Sequence, residues 1–274
     1  MLKIKEYIKP KTLEEAYEIG SLPYSLYVGG GLVVAGIESD RIERLVDLKS
    51  VGLDEIEDAE EVKIGANVTL SAFTDHLFLS TLYNGFFSKT ARYIGSTQIR
   101  NMATVGGSIA ARFGWSDVLT ILMISNARIE SYDGDLQEYP IERYIEEKKR
   151  NSIITAIYLP KGDRSFAFEK FARSTFDIAL LNLGISLSLV DGKCKDAIVA
   201  VGARPMRARR ITEVEEFLEG RDILKSIDEG AKLIADVVDM KKDMRASAEY
   251  RKALAGALLK KAMRRICYES GIQC

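Results

Sequence analysis

The segment Thr104 to Ser108 has residue types suited to binding a phosphate. It reads TVGGS. Because glycine has no Cβ, Gly106 and Gly107 can adopt positive φ and let backbone N–H groups approach a ligand, while the hydroxyls of Thr104 and Ser108 add donors. Similar runs also occur in plain turns and strand bulges, so the segment alone leaves a purely structural role open.

A second glycine-rich segment lies earlier in the chain. The β-prone run Ser25–Val28 leads into Gly29, Gly30 and Gly31, and the apolar segment 32–35 follows. Strand, glycine turn and apolar segment in this order are typical of a phosphate cradle, although a flexible turn is the alternative. The segment lacks G-x-G-x-x-G spacing, which disfavours a dinucleotide-binding Rossmann domain.

Length and composition restrict the class of protein. The 274 residues predict two domains, and 47% hydrophobic with 29% charged residues is ordinary for a globular protein. Lys and Arg number 39 against 40 Asp and Glu, so no basic field predicts nucleic acid as a partner. No apolar run approaches the roughly 20 residues of a membrane span, and no secretory signal is evident. We therefore predict a cytoplasmic protein.

Metal ligands are scarce in this sequence. The cysteines are Cys194, Cys267 and Cys274, without C-x-x-C spacing, and His76 is the only histidine. An iron–sulfur cluster normally takes four thiolates, and a multi-histidine site needs several imidazoles. We predict no metal site in this chain and interpret His76 as a surface or packing residue.

Periodicity and turn residues predict alternating helices and strands in the first part of the chain. Thr12 and Glu15 have capping-box spacing before a helix over 13–19, and Thr69 or Ser71 is expected to cap a helix that reaches Phe78. The charge run 142–151 indicates a solvated helix or loop. Strands are predicted at 44–48, 62–68, 127–132 and 153–159. The continuously apolar run 118–124 predicts a buried helix, with a buried strand as the less favoured alternative.

The pattern changes after residue 162. An alternating strand over 165–171 precedes two apolar runs that flank Asp191-Gly192, a good hairpin turn. Thr212 with Glu215 repeats the capping-box spacing, and a helix follows over 227–238. In the last helix, residues 250, 254, 258, 262 and 266 form a stripe predicted to be core, with basic residues 260, 261, 264 and 265 near its C-terminal end.

The order of motifs resembles one family, the medium FAD-binding subunits of molybdenum-containing hydroxylases such as carbon monoxide dehydrogenase and the xanthine dehydrogenase group. Residues 28–33 (VGGGLV) are similar to its Ala-Gly-Gly-Thr-Asp-Leu motif, and residues 98–108 match Q-I-R-N-x-A-T-[VI]-G-G-[NS] nearly letter for letter. Further similarity lies at Asp117, 153–160, 168–179, 207–208 and 243–251. Gly31-Leu32 departs from the usual Thr-Asp, and Gly114 stands for a usual Pro.

The resemblance implies an α+β fold. Residues 1–162 are expected to form a vanillyl-alcohol-oxidase (PCMH)-type FAD-binding domain of two subdomains with FAD between them. Residues 163–274 are expected to form a smaller α/β domain like the C-terminal domain of the CO dehydrogenase flavoprotein. The FAD is expected to be non-covalent, because His76 and the cysteines lie outside both glycine segments.

The resemblance also implies cofactor-binding residues. Backbone at the two glycine segments would meet the pyrophosphate, and the hydroxyls of Thr104 and Ser108 would meet phosphate or ribityl oxygens. Ile154 would offer backbone to the adenine, and Lys170 would lie near flavin N1, where a cation favours reduced flavin. No residue is predicted to be catalytic. The full set is Val28, Gly29, Gly30, Gly31, Leu32, Val33, Ile94 flanking the isoalloxazine, Thr104, Gly106, Gly107, Ser108, Asp117 holding polar cofactor groups, Ile154 and Lys170.

The implied function is electron transfer within a complex. Electrons would leave a molybdenum cofactor in a large molybdopterin-binding subunit, pass two-iron two-sulfur clusters in a small subunit, and reach FAD here. The implied assembly is a dimer of heterotrimers, and the acceptor (NAD, quinone, ferredoxin or oxygen) stays open. Two alternatives stay open as well: a free-standing FAD-dependent oxidoreductase, and a scaffold subunit that has lost FAD, the latter suggested by Gly31-Leu32.

Overall fold

The structure is a computed structural model that describes residues 3–147, 151–203 and 205–272. Cys274 and residues 148–150 of the charge run lie outside the described residues. The strands are β1 Glu6–Ile8, β2 Ser25–Val28, β3 Arg44–Asp47, β4 Ile56–Asp58, β5 Val62–Gly65, β6 Arg128–Tyr132, β7 Leu136–Pro140, β8 Ile153–Leu159, β9 Ser165–Phe171, β10 Leu181–Val190, β11 Lys193–Gly202 and β12 Arg209–Arg210. The helices are α1 Leu13–Gly20, α2 Leu32–Ala35, α3 Leu70–Asp75, α4 Phe86–Ala91, α5 Thr97–Met102, α6 Val105–Ala110, α7 Asp117–Ile124, α8 Ile141–Glu146, α9 Thr212–Leu218, α10 Ile223–Val237 and α11 Ala248–Glu269.

The chain divides into two compact units that each combine separate stretches of sequence. The first, called here the N-terminal unit, contains Met1–Asp75, Ser96–Ala111 and Ala127–Lys161. The second, called the C-terminal unit, contains His76–Gly95, Arg112–Asn126 and Gly162–Cys274. In the part of the chain that the structure describes, no helix combines the length and apolar character needed to cross a bilayer.

Two sheets form the N-terminal unit. The first is parallel with strand order β1-β3-β2, and the second has the order β4-β5-β8-β6-β7 with antiparallel pairs throughout. In the parallel sheet, Val28 is the register partner of Asp47, so β2 and β3 end side by side. The glycine segment therefore leaves the sheet at its carboxyl edge, where parallel strands commonly present ligand sites.

Helix caps follow the sequence at two of three predicted positions. The Thr12 hydroxyl accepts a hydrogen bond from the Glu15 amide at 3.2 Å, and Thr69, not Ser71, accepts from the Ala72 amide at 3.1 Å to begin α3. The predicted capping box at Thr212 is wrong. The Glu215 carboxylate instead accepts from the Val199 amide at 2.9 Å, because neighbouring β11 supplies a competing donor.

The C-terminal unit is a four-stranded antiparallel sheet of order β12-β11-β10-β9 with helices on both faces. The predicted hairpin is confirmed, since Asp191 (φ 52°) and Gly192 (φ 73°) form the tight turn between β10 and β11. One face, with Leu183, Ile185 and Val199, packs in the core with α9, α10 and α11. On the opposite face, glycines leave the space in which α7 packs against the sheet.

Helix α7 is completely buried, as the sequence predicts: every residue from Asp117 to Ile124 is inaccessible. A Cβ at Gly184 of β10 would lie 2.9 Å from Ile124 Cδ1. That separation is too short for a real contact, so the absence of a side chain at Gly184 lets α7 approach the sheet.

The stripe on α11 is core over most of its length. Leu258, Ala262 and Ile266 are buried, whereas Tyr250 is 48% exposed. The basic residues do not mark the end of the helix, which continues to Glu269. Two of them form ion pairs with the buried Glu169 of β9, through Lys261 Nζ at 2.7 Å and Arg265 Nη2 at 2.9 Å.

Candidate functional site

The two glycine segments lie against each other within the N-terminal unit. A Cβ at Gly30 would sit 1.7 Å from the Met102 carbonyl oxygen, and a Cβ at Gly29 would sit 2.9 Å from Thr104 Oγ1. Gly31 has φ 79°, a conformation that favours glycine, and begins α2. Glycine is therefore required at positions 29 to 31 by close approach and by backbone conformation.

A cavity of about 590 Å³ opens beside this glycine segment. It is lined by Tyr7, Val28, Gly29, Gly30, Gly31, Val34, Ala35, Gly36, Ile37, Glu38, Leu45 and Lys49. Among the described residues, the amides of Gly30 and Gly31 donate to no acceptor. Two donors and a lysine thus face a space of the size that small-molecule ligands occupy, about 300–1,000 Å³.

Two carboxylates lie at or next to the cavity: Glu38 is among its lining residues, and Asp47 bonds to two other lining residues, Tyr7 and Lys49. Asp47 is 1% exposed; its Oδ2 accepts a hydrogen bond from the Tyr7 hydroxyl and its Oδ1 accepts from the Lys49 amide at 3.0 Å. The hydrogen bond from the Tyr7 hydroxyl to Asp47 is the main cause that raises the pKa of Tyr7 to about 12. Tyr7 therefore stays neutral, and both carboxylate oxygens of Asp47 accept hydrogen bonds from the protein.

The second glycine segment is helical and does not form a positive-φ loop. Gly106 and Gly107 lie in the first turn of α6, which Thr104 caps by accepting from the Gly107 amide at 3.1 Å. The Gly106 amide donates to the Ala66 carbonyl at 2.8 Å. The expectation of positive φ at these glycines is wrong, because the threonine cap favours helix.

Steric demands differ between the paired glycines. A Cβ at Gly106 would lie 2.6 Å from the Ala66 Cβ and 2.8 Å from its carbonyl oxygen. A Cβ at Gly107 would meet only Thr104 Oγ1, at 2.7 Å. Gly106 is thus required for packing against Ala66, whereas a side chain at Gly107 would disturb only the Thr104 cap.

Apart from Val28 and the three glycines at 29–31, the predicted residues of the N-terminal unit do not line the cavity, and this includes the second glycine segment. Leu32 and Val33 lie on α2 and are exposed by 36% and 40%. Ile154 is buried in β8, and the Ser108 hydroxyl donates to the Thr104 carbonyl at 2.8 Å. The structure brings together the backbone of the two glycine segments rather than all of these side chains.

A second group of predicted residues lies within the C-terminal unit. Lys170 Nζ is 2.9 Å from Asp117 Oδ2, and both side chains are nearly inaccessible, at 12% and 6% exposure. Burial raises the pKa of Asp117, an effect that Lys170 and Asn182 oppose by bonding to the ionised form. Ile94 lies in the same unit, in the segment between α4 and α5, and is half-buried.

The segment 112–115, called here the aromatic insert, precedes Asp117 and contains two aromatic rings that stack on each other. The rings of Phe113 and Trp115 are 4.7 Å apart and nearly parallel, at 13°. Phe113 is 37% exposed and Trp115 is half-buried. The insert thus contributes an aromatic surface, and Trp115 is not a core residue.

Sequence reasoning missed several residues of these sites. Tyr7, Glu38 and Lys49 line the cavity, and Asn182 contacts Asp117. Lys49 follows β3, which is predicted, so parallel pairing of β3 with β2 would have placed it near the glycines. No local signal distinguishes Asn182 from a polar residue on any strand.

Comparison with known proteins identifies both parts of the chain. Residues 2–162 match the family described as the FAD binding domain in molybdopterin dehydrogenase, and residues 166–266 match the CO dehydrogenase flavoprotein C-terminal domain.

Relatives align over nearly the whole length. The nicotine 6-hydroxylase medium subunit of Paenarthrobacter nicotinovorans is 25% identical and aligns over 94% of this chain and 95% of its own. The carbon monoxide dehydrogenase medium chain of Afipia carboxidovorans is 27% identical over 95% and 96%. Among solved structures, the reconstituted CO dehydrogenase from Oligotropha carboxidovorans superposes with a TM-score of 0.88 at 25% identity, over 96% of this chain and 97% of that one.

Proposed function

Because the chain belongs to the family of FAD binding domains in molybdopterin dehydrogenases, we propose that it transfers electrons through FAD as the medium subunit of a molybdenum-containing hydroxylase. The observation that carries the proposal is the cavity beside Gly29, Gly30 and Gly31, which pack against the second glycine segment. A side chain at position 29 or 30 would collide with the second glycine segment, and Gly31 has positive φ, so this bare backbone surface depends on all three glycines. FAD is thus the cofactor, and its pyrophosphate is the part that this surface suits.

The glycine amides and Lys49 fit an anionic ligand, and the carboxylate of Glu38 is the one acidic group among the described lining residues. The amides of Gly30 and Gly31 donate to no acceptor among the described residues, and Lys49 adds a positive charge. We assign pyrophosphate binding to these groups and to the Thr104 hydroxyl. The Gly106 amide already donates to Ala66, so Gly106 contributes close packing of the second segment and not a hydrogen bond.

The other predicted positions remain part of the proposal. We assign Val28, Leu32, Val33, Gly107, Ser108 and Ile154 to the cofactor site from the motif order, and Ile94, Asp117 and Lys170 likewise. When bound, FAD supplies redox chemistry that amino-acid side chains do not provide. The chain's own contribution is to bind the cofactor, to fix its orientation, and to set the charge of Lys170.

The finer assignments of fold and assembly are proposals as well. We propose that residues 1–162 form a PCMH-type domain of two subdomains and that residues 163–274 form the smaller C-terminal domain. The partners would be a large molybdopterin-binding subunit and a small subunit with two-iron two-sulfur clusters, in a dimer of heterotrimers in the cytoplasm. The medium-subunit and medium-chain names of two relatives support a multi-subunit complex.

The test is FAD binding by the purified chain and by Gly107→Val. The wild-type chain should bind one FAD after reconstitution, measured by flavin absorbance, whereas Gly107→Val should bind none at the same concentration. Gly162→Val is the matched control, because a Cβ at Gly162 meets no atom within 4 Å. All three should show the same circular dichroism spectrum.

Two results would overturn parts of the proposal. A wild-type chain that binds no FAD would reject the function, and a Gly107→Val chain with full flavin content would reject the assignment of Gly107 to the site. For the assembly, the native complex should copurify with molybdenum, iron and flavin. Substrate turnover by the isolated chain would instead favour a free-standing flavin oxidoreductase.

A further inference from the structure

A row of three residues crosses the sheet of the C-terminal unit beneath α7. Lys170 of β9 lies directly opposite Asn182 of β10, which lies directly opposite Gly202 of β11. Directly opposite residues project from the same face of a sheet, with Cβ atoms about 4.5–5.5 Å apart. Lys170 and Asn182 thus reach α7 side by side, where both contact Asp117.

Asn182 and Lys170 each bind one oxygen of the Asp117 carboxylate. Asn182 Nδ2 donates to Asp117 Oδ1 at 2.7 Å, and Lys170 Nζ binds Oδ2 at 2.9 Å. Asn182 Oδ1 in turn accepts from the Thr120 hydroxyl at 2.8 Å. Because a hydroxyl donor faces the amide oxygen, the amide NH2 group is directed toward Asp117. Asn182 and Thr120 are both 0% exposed.

Glycine makes the space that this arrangement occupies. A Cβ at Gly202 would lie 2.3 Å from Asn182 Oδ1 and 2.8 Å from Thr120 Oγ1. A Cβ at Gly114, in the turn before α7, would lie 1.3 Å from the Met206 carbonyl oxygen. Neither glycine belongs to the two glycine segments, and both permit close packing around Asn182.

We infer that Asn182 is a positioning residue that holds Asp117 ionised and oriented, and thereby sets the charge that Lys170 presents to the flavin. The inference rests on the proposed function. Without the Asn182 amide, the buried Asp117 carboxylate loses a donor that stabilises its charge, and it takes up a proton more readily. Lys170 then lacks a counter-ion, and an uncompensated cation beside flavin favours the reduced form.

The experiment measures the midpoint potential of bound FAD in Asn182→Leu. The potential should shift to a more positive value than in the wild-type chain, and Thr120→Val should give a smaller shift in the same direction. Ser186→Ala is the matched control. Ser186 is equally buried on β10, and its hydroxyl donates to the Ile124 carbonyl at the other end of α7. Its substitution should lower stability without moving the potential.

A double-variant cycle separates positioning from general packing. Asp117→Asn alone should raise the potential, and adding Asn182→Leu should change it no further, because Asn182 acts through Asp117. Fully additive shifts would overturn the inference, as would a wild-type potential in both Asn182→Leu and Thr120→Val. These results differ from failure of the proposed function, in which the wild-type chain would bind no FAD at all. Thr120→Val is the smaller structural change, so it still provides the test if Asn182→Leu does not fold.

Discussion

The glycine cavity and the Asp117–Lys170 pair, both assigned to the proposed cofactor site, differ in the atoms that form them. The cavity is lined by the backbone of half-buried glycines together with Glu38 and Lys49, and the neighbouring Asp47 is bonded to Tyr7 and to the Lys49 amide. The Asp117–Lys170 pair is formed by side chains that are almost fully buried, and each charge depends on the other. Substitution at the cavity should therefore change ligand binding first, and substitution at the pair should change stability first.

The largest expected effect is at the buried pair. Replacing Lys170 by Met leaves Asp117 buried without its counter-ion and should cost about 3 kcal/mol at pH 8, as removal of one partner of a buried pair does. The loss should be smaller at pH 5. Burial holds the pKa of Asp117 above its ordinary value of 3.8, so the folded state binds the proton more tightly than the unfolded chain, and stability falls as pH rises through that pKa.

Urea unfolding of wild-type and Lys170→Met chains without FAD at both pH values checks this prediction. Lys161→Met serves as a control, since Lys161 pairs with Asp58 at a more exposed position. An equal loss at pH 5 and pH 8 would show that Asp117 does not titrate as described, and would remove the contrast between the two regions.

The next largest effect distinguishes two adjacent glycines. Gly106→Ala should destabilise the fold by about 2 kcal/mol, because its Cβ would overlap Ala66 and overpacking typically costs about 1–3 kcal/mol. Gly107→Ala should cost about 1 kcal/mol or less, since it disturbs only the cap at Thr104. Thermal unfolding of both proteins measures the difference. Equal stability of the two variants would contradict the assignment of Gly106 to packing.

Lys49 should affect binding and not stability. Lys49→Met should weaken FAD binding by about 1 kcal/mol, roughly fivefold, because an exposed charge contributes little in water. The difference from wild type should shrink as salt rises. Isothermal titration at low and high salt tests this, with Lys63→Met as control because Lys63 lies on β5 beyond the cavity lining. A salt-independent difference would argue against a charge contact with pyrophosphate.

The smallest effect is expected at the cap. Thr104→Val removes the hydroxyl that accepts from the Gly107 amide and should cost about 1 kcal/mol of stability. FAD affinity should fall too, if the same hydroxyl donates to phosphate. A stable protein with reduced affinity would locate the role of Thr104 at the cavity, whereas lost stability with unchanged affinity would confine it to the helix.

Much of the secondary structure could be predicted because its causes are local. The cap at Thr12, the turn at Asp191-Gly192 and the buried helix α7 each follow from residues close in sequence. Strands β1, β4, β7 and β12 were missed. Each has only two to five residues, mostly exposed, and such short strands form because a partner strand supplies hydrogen bonds, not because their own residues require it.

The family and the two glycine segments could be predicted from the sequence. Glycine is required where the backbone closely approaches a ligand or another segment, and these glycines lie within short contiguous motifs. Which distant residues come into contact with these positions is determined only by the tertiary structure. Asn182 meets Asp117 across 65 positions because β9, β10 and β11 align Lys170, Asn182 and Gly202 in one row. That alignment depends on strand register and on the space above glycine, which are properties of the assembled sheet.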